Sequence, residues 1–193
     1  SFFLSILIIK NLKVNFLVNT ILVTSALYLF LVTSKEFLIK GINNLAQNLA
    51  HFGFSLLILS ILFNNFFSTE VITNLKIGET FKSEKIHITF ESIEKKEIKN
   101  YSSIIGKINI NDPKGLNQTL EPELRIYNQP NIVTSEADIK TNLFSDKFIT
   151  MNLVQNQDYF NIRYQIKPFM IWIWLSVLLI CSGGLISLFR KKI

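Results

Sequence analysis

The chain of 193 residues has two histidines, and their settings differ. His87 sits between Ile86 and Ile88 in a run that alternates apolar and polar residues. It therefore points away from the apolar face of a strand and reads as a solvated surface residue. His51 lies inside an apolar stretch long enough to cross a bilayer, where ionisable side chains are rare and functional by default. Asn44, Gln47, His51 and Ser55 fall at helical spacings on one face, a polar stripe on an otherwise apolar helix. The small residues Ala46, Ala50 and Gly53 are expected to leave room for a bulky partner. A neutral imidazole on a rigid helix can be an axial ligand of heme iron. The alternative is a histidine hydrogen-bonded to a neighbouring helix.

Other catalytic templates do not occur. There is no Gly-rich phosphate loop, no His-Glu-x-x-His, and no Ser or Cys nucleophile with a plausible base. Glu121 and Glu123 flank Pro122, and Glu136 and Asp138 stand two apart; such carboxylates are ordinarily solvated strand or loop residues. Cys181 is the single cysteine, so no disulfide within the chain and no Cys-x-x-Cys site is possible; inside its apolar run it reads as helix packing. Trp172 and Trp174 could touch a cofactor, but anchoring at the headgroup level explains them better.

The elements that must position His51 follow from composition. Residues 1–66 and 168–189 are rich in Ile, Leu, Phe and Val, whereas 70–167 is mixed and charged. About 20 apolar residues cross the hydrocarbon core as a helix. Val14–Val32, Asn44–Phe63 and Phe169–Phe189 meet that requirement. Residues 1–13 are read as a truncated helix end or an interfacial segment. Residues 14–65 form two transmembrane helices with a short inner loop, Thr33–Asn43 being the polar connection. Residues 66–167 form an extramembrane domain, and 168–193 the last transmembrane helix with a basic tail. The first residue is Ser, so the sequence is read as starting inside a longer protein or after processing. Abundant Ile, Asn, Lys and Phe with few Arg fit an AT-rich genome.

The inserted domain reads as β. Ile86–Phe90, Ile104–Ile110, Leu124–Tyr127, Phe148–Val154 and Tyr159–Ile166 alternate at period two, with turn chemistry at 111–115 and 156–158. Five or six short strands predict a small antiparallel sandwich or a partly open barrel. The fold class is thus an α-helical integral membrane protein with about three spans and a small all-β domain inserted before the last helix.

The net charge of +6 lies at the membrane flanks, since residues 70–165 hold 12 basic and 13 acidic side chains. A nucleic-acid binder would place its basic residues on the folded domain, so nucleic acid is not an expected partner. Lys35 and Lys40 are separated from Arg190–Lys192 by two crossings, which puts both sets on the inner side and the β domain outside. Lys10 and Lys13 then run against the rule. His51, rising about 1.5 Å per residue from the inner face, would lie nearer the inner leaflet.

Several segments resemble one family. Leu49-Ala50-His51-Phe52-Gly53-Phe54 is similar to a histidine signature in a late helix of the CcmF/CycK/Ccl1 family of cytochrome c maturation heme-lyase subunits. Gly78-Glu79, Asn100-Tyr101, Pro122 to Tyr127 and Thr134 to Ile139 follow in the order of that family's outer domain, and Lys167-Pro168-Phe169, Trp172-Ile173-Trp174 and Gly183-Gly184-Leu185 resemble its last helix. The resemblance covers residues from about 44 to the end.

It implies that His51 is an axial ligand to a membrane b heme. It also implies a system that receives heme from a heme chaperone and attaches it to Cys-x-x-Cys-His of apocytochrome c. The family's tryptophan-rich outer motif with its flanking histidines is not in this sequence, nor is a second axial histidine for the b heme. The resemblance therefore implies a subunit, not catalytic alone, that shares heme b with another chain or a preceding part. The implied partners are heme-lyase chains carrying the tryptophan-rich motif, a heme chaperone, apocytochrome c and membrane lipid. The implied location is the bacterial or mitochondrial inner membrane, with the β domain in the periplasm or intermembrane space. A non-catalytic membrane scaffold that docks a partner through its β domain is the second reading, and a transporter subunit the third.

Overall fold

The computed structural model describes residues 16–40, 44–83, 86–111, 117–154 and 158–189. The expected segment at 1–13, the first residues of the Val14–Val32 span and the Arg190–Lys192 tail lie outside the described residues, as do 112–115 and 156–157 of the expected turns. Among those described, α1 (Phe16–Lys40), α2 (Leu45–Phe67) and α3 (Met170–Phe189) are long and apolar enough to cross a membrane. The chain is an α-helical integral membrane protein with an all-β domain inserted before its last helix.

Helix α1 runs farther than its apolar stretch. Thr33–Lys40, expected to form the connection, continue it, because Lys35, Glu36 and Lys40 carry good helix propensity and no Gly or Pro intervenes. Its packing onto α2 joins Val23, Ala26 and Leu27 to Leu59, with Phe30, Ile58, Leu62, Phe63 and Phe66 around them. Helix α2 also passes Asn64-Asn65 and ends at Phe67, where the Ser68 amide and hydroxyl donate to the Asn64 carbonyl at 3.0 and 2.5 Å.

Among the described residues the β domain is a sandwich of ten strands, more than the five or six expected. One sheet has the order β1 (Thr69–Leu75), β10 (Phe160–Pro168), β9 (Ser145–Leu153), β8 (Asp138–Thr141). The other runs β2 (Thr80–Lys82), β3 (His87–Ile98), β4 (Tyr101–Asn111), β6 (Glu123–Tyr127), β7 (Ile132–Glu136), with β5 (Asn117–Leu120) paired to β4 beside β6. The ladders with assigned register are antiparallel, for example Thr69 opposite Ile166 and Ile104 opposite Leu124.

Inward side chains of both sheets build one core. Leu75, Ile149, Met151, Phe160, Ile162 and Tyr164 meet Ile88, Phe90, Ile108, Ile110, Leu120 and Leu124. Phe90 and Phe160 stack edge to face across the core with centroids 5.2 Å apart, a geometry the ring quadrupoles favour. A register shift between Phe90 and Ser92 marks a bulge in β3. The turn from β1 to β2 places Gly78 at φ +87°, a conformation that costs a glycine little. Its amide donates to the Phe90 carbonyl at 2.7 Å.

The entry to α3 is tightly built. Phe169 adopts φ +60°, rare for a residue with a bulky side chain. It is held by its neighbours: the amide donates to the Phe144 carbonyl at 2.8 Å, and its ring lies 5.4 Å from that of Phe63. The Asn64 side-chain amide donates to the Pro168 carbonyl at 2.6 Å. These contacts over-determine a backbone turn that the chain would not choose alone.

Candidate functional site

Helix α2 carries the candidate ligand and lies between α1 and α3. Its residues sort onto three sides. Toward α1 stands the buried Ser55, its hydroxyl 2.7 Å from that of Thr33; Asn48 is buried too. Phe52 lies 5.6 Å from both the Phe30 and Phe37 rings on that side.

Toward α3 stand Ala46, Ala50 and Gly53. A methyl group at Gly53 would come within 3.0 Å of Leu179, Ile180 and the Ser176 carbonyl, and one at Gly183 within 2.7 Å of the Ala46 carbonyl and 2.8 Å of the Ala50 amide. The two backbones approach closely because small residues face each other, the usual means of tight helix association in lipid. This corrects the expectation that Ala46, Ala50 and Gly53 leave room for a bulky partner. The last helix fills that room.

The third side is covered by neither α1 nor α3. Asn44, Gln47 and His51 are exposed there, with Phe54 at 53% and Ile61 at 49%. The polar stripe thus divides: Ser55 is consumed in packing, whereas His51 faces outward with its imidazole available. Phe54 follows His51 by three residues on that face, a relationship visible in the sequence as helical spacing. Among the described residues no group of three or more His, Cys, Asp and Glu could hold a metal ion. His51 can offer one imidazole nitrogen to a ligand on that side.

The remaining candidates resolve into structural roles. His87 opens β3 and is exposed, as alternation predicted. Trp172 donates its indole N–H to the Leu143 carbonyl at 2.9 Å. Cys181 is a free thiol on an exposed side of α3, so it does not pack the helix as expected.

The paired carboxylates are more engaged than solvated acids. Glu123 accepts from the Arg125 guanidinium at 2.9 Å, and Glu136 lies 3.8 Å from it. The guanidinium also sits 5.2 Å from the centre of the Tyr101 ring, which in turn lies 5.2 Å from Tyr127. The hydrogen bond from Arg125 holds the Glu123 carboxyl below its ordinary value, and the same bond raises Arg125. The Glu121 amide donates to the Asp138 carboxylate at 2.7 Å. Sequence spacing could have found the first pair, since residues two apart on a strand share a face.

Comparison with known proteins adds a family and a fold. Residues 66–168 match the family described as the CcmF C-terminal beta-sandwich. Ccl1 of Rhodobacter capsulatus, a cytochrome c-type biogenesis protein, is 31% identical over 123 residues, covering 64% of this chain and 19% of its own length. CcmF of Haemophilus influenzae is 26% identical over 165 residues, covering 83% and 26%. CcmF of Pseudomonas aeruginosa is 25% identical over 146 residues, covering 76% and 22%. The chain thus spans about a quarter or less of these curated relatives. A solved structure titled cytochrome c heme lyase CcmF superposes with a TM-score of 0.65 over 98% of this chain and 34% of that one, at 16% identity. At that identity the likeness concerns the fold.

Proposed function

Because this chain belongs to the CcmF family through the beta-sandwich at residues 66–168, we propose that it is the C-terminal subunit or part of a cytochrome c heme lyase, with His51 as one axial ligand of a membrane b heme. The observation that carries the proposal is the outward position of His51 on the one side of α2 that neither α1 nor α3 covers. A histidine held in place by a neighbouring helix of this chain would instead be buried against it.

The donor chemistry suits that group. A neutral imidazole is an axial ligand for heme iron, and one histidine fills one of two axial positions. The second would come from another chain or from a preceding part of the same protein. A heme bound there would supply one-electron redox chemistry. This chain's own contribution is to fix the ligand: α2 is clamped on two sides, so the imidazole is presented from a rigid backbone. Gln47 and Asn44 lie on the same side as polar neighbours.

The wider role follows from the same reading. In the assembled system heme passes from a chaperone to the Cys-x-x-Cys-His motif of apocytochrome c. The chain sits in a bacterial or mitochondrial inner membrane with its sandwich on the outer side. It is not catalytic alone and works with the chains that carry the tryptophan-rich motif.

The experiment is to purify the complex containing this chain, with His51 intact or as His51→Ala, and record oxidised and reduced absorption spectra. Loss of the b-type bands with the complex still assembled is the expected result. An unchanged spectrum removes His51 as ligand. A second reading, a scaffold docking a partner through the sandwich, draws on the domain's near-neutral charge balance, 12 basic against 13 acidic side chains over residues 70–165. It prevails if the purified complex carries no heme.

A further inference from the structure

The tip of the β8–β9 hairpin, Asn142-Leu143-Phe144-Ser145, groups with the helices and not with the rest of the sandwich. Its shape is set by polar atoms. The Asn142 side-chain oxygen accepts from the Phe144 and Ser145 amides at 2.9 and 2.8 Å, and the Asn142 amide donates to the Ser145 carbonyl at 3.1 Å. Its attachment to α3 is also made by backbone. The Leu143 carbonyl accepts from the Trp172 indole at 2.9 Å, and the Phe144 carbonyl from the Phe169 amide at 2.8 Å.

Neither side chain at the centre of the turn is needed for these bonds. Such positions are ordinarily Gly, Pro, Asn, Asp or Ser. Here they are Leu143, 55% exposed, and Phe144, 64% exposed. Two large apolar side chains at a turn tip, idle in the fold, call for an apolar surrounding outside the chain.

The tip's position says which surrounding that is. Trp172 lies in the first turn of a membrane-spanning helix, where amphipathic rings collect at the headgroup level. A hydrogen bond to that indole fixes the tip at the same depth. The first turns of α3 likewise expose the apolar Ile171, Trp174 and Leu175. We propose that the hairpin tip is a second membrane anchor, with Leu143 and Phe144 seated in the interfacial layer of the bilayer beside the entry of α3. Partitioning of an exposed apolar pair into the headgroup–acyl boundary is the physics of interfacial segments generally.

The test uses the full chain in lipid nanodiscs with Cys181→Ser as background. Phe144→Cys, or in a second preparation Leu143→Cys, carries an environment-sensitive fluorophore. Ile98→Cys, an exposed position at the end of β3, serves as reference. Lipids spin-labelled near the headgroup are expected to quench the tip about two-fold or more above the reference, and more than lipids labelled at the acyl terminus. Iodide in the water is expected to reach the tip several-fold less well than the reference. Iodide quenching equal at both positions overturns the proposal. So does a tip protected from iodide and lipid label alike, which would mean that a protein covers it.

Discussion

The hydroxyls of Thr33 and Ser55 lie 2.7 Å apart between α1 and α2, each also within reach of a backbone carbonyl one turn earlier in its own helix. Either hydroxyl can donate across the interface while the other donates to its own helix. Ser55→Ala should therefore cost about 0.6 kcal/mol, the average for hydrogen bonds between membrane helices. Unfolding of the purified chain in mixed micelles measures it. A loss as large as that from removing a core side chain would contradict the assignment.

Two adjacent glycines in α3 should respond with opposite sign. A methyl at Gly183 meets the Ala46 carbonyl at 2.7 Å, whereas a methyl at Gly184 meets nothing within 4 Å. Gly183→Ala is expected to destabilise the pairing of α2 and α3 by about 1–3 kcal/mol, as overpacking does. Gly184→Ala should stabilise by about 0.5–1 kcal/mol through the lower helix cost of alanine. Parallel micelle unfolding curves decide the matter, and equal effects would refute the close crossing.

Removing the Asn64 side-chain amide leaves the Pro168 carbonyl without its donor at the strained entry to α3. Asn64→Leu is expected to cost about 1–3 kcal/mol, the range for a buried group that loses its partner. The exposed Asn65 provides the control, since Asn65→Leu should change stability within about 0.5 kcal/mol. Similar losses at both positions would show that the bond contributes nothing.

The sandwich should carry a pH signature at Glu123. Its folded carboxyl lies below the ordinary value because Arg125 donates to it. Folding then favours the ionised form. The stabilisation is complete above the unfolded pKa and is lost as pH falls through the depressed folded value. Glu123→Gln should lower the melting temperature at neutral pH, and the gap to the parent should close in acid. A gap that persists unchanged at low pH would assign the effect to packing.

The strands legible in the sequence were β3, β4, β6, β9 and β10, and those are the interior strands of the two sheets. Period-two alternation arises where one face is buried and the other wet, which interior strands satisfy. The strands it missed are the edges β1, β2, β7 and β8 and the added strand β5. β7 and β8 expose Ile132, Val133 and Ile139, so burial no longer sorts their residues by parity. Spans were located by apolar content, but their ends were not. Lys35 and Glu36 do not stop α1, and Asn64 extends α2 because its carbonyl and side chain both find partners.

At the candidate site the sequence identified His51 and its polar stripe. It could not divide that stripe, because spacing places Ser55 and His51 on one face without saying where the neighbouring helix's edge falls. The small residues are ambiguous in the sequence for a related reason. Ala46 and Gly53 look the same in sequence whether they border a void or another backbone, and only the fold shows α3 against them.

Other helices seal two flanks of α2, and among the described residues Gln47 and Phe54 share the third flank with position 51. Whatever meets the imidazole from that flank meets it beside Phe54 and Gln47, which lie within one helical turn of it. A photoreactive group at either residue would then label directly whatever lies against that flank.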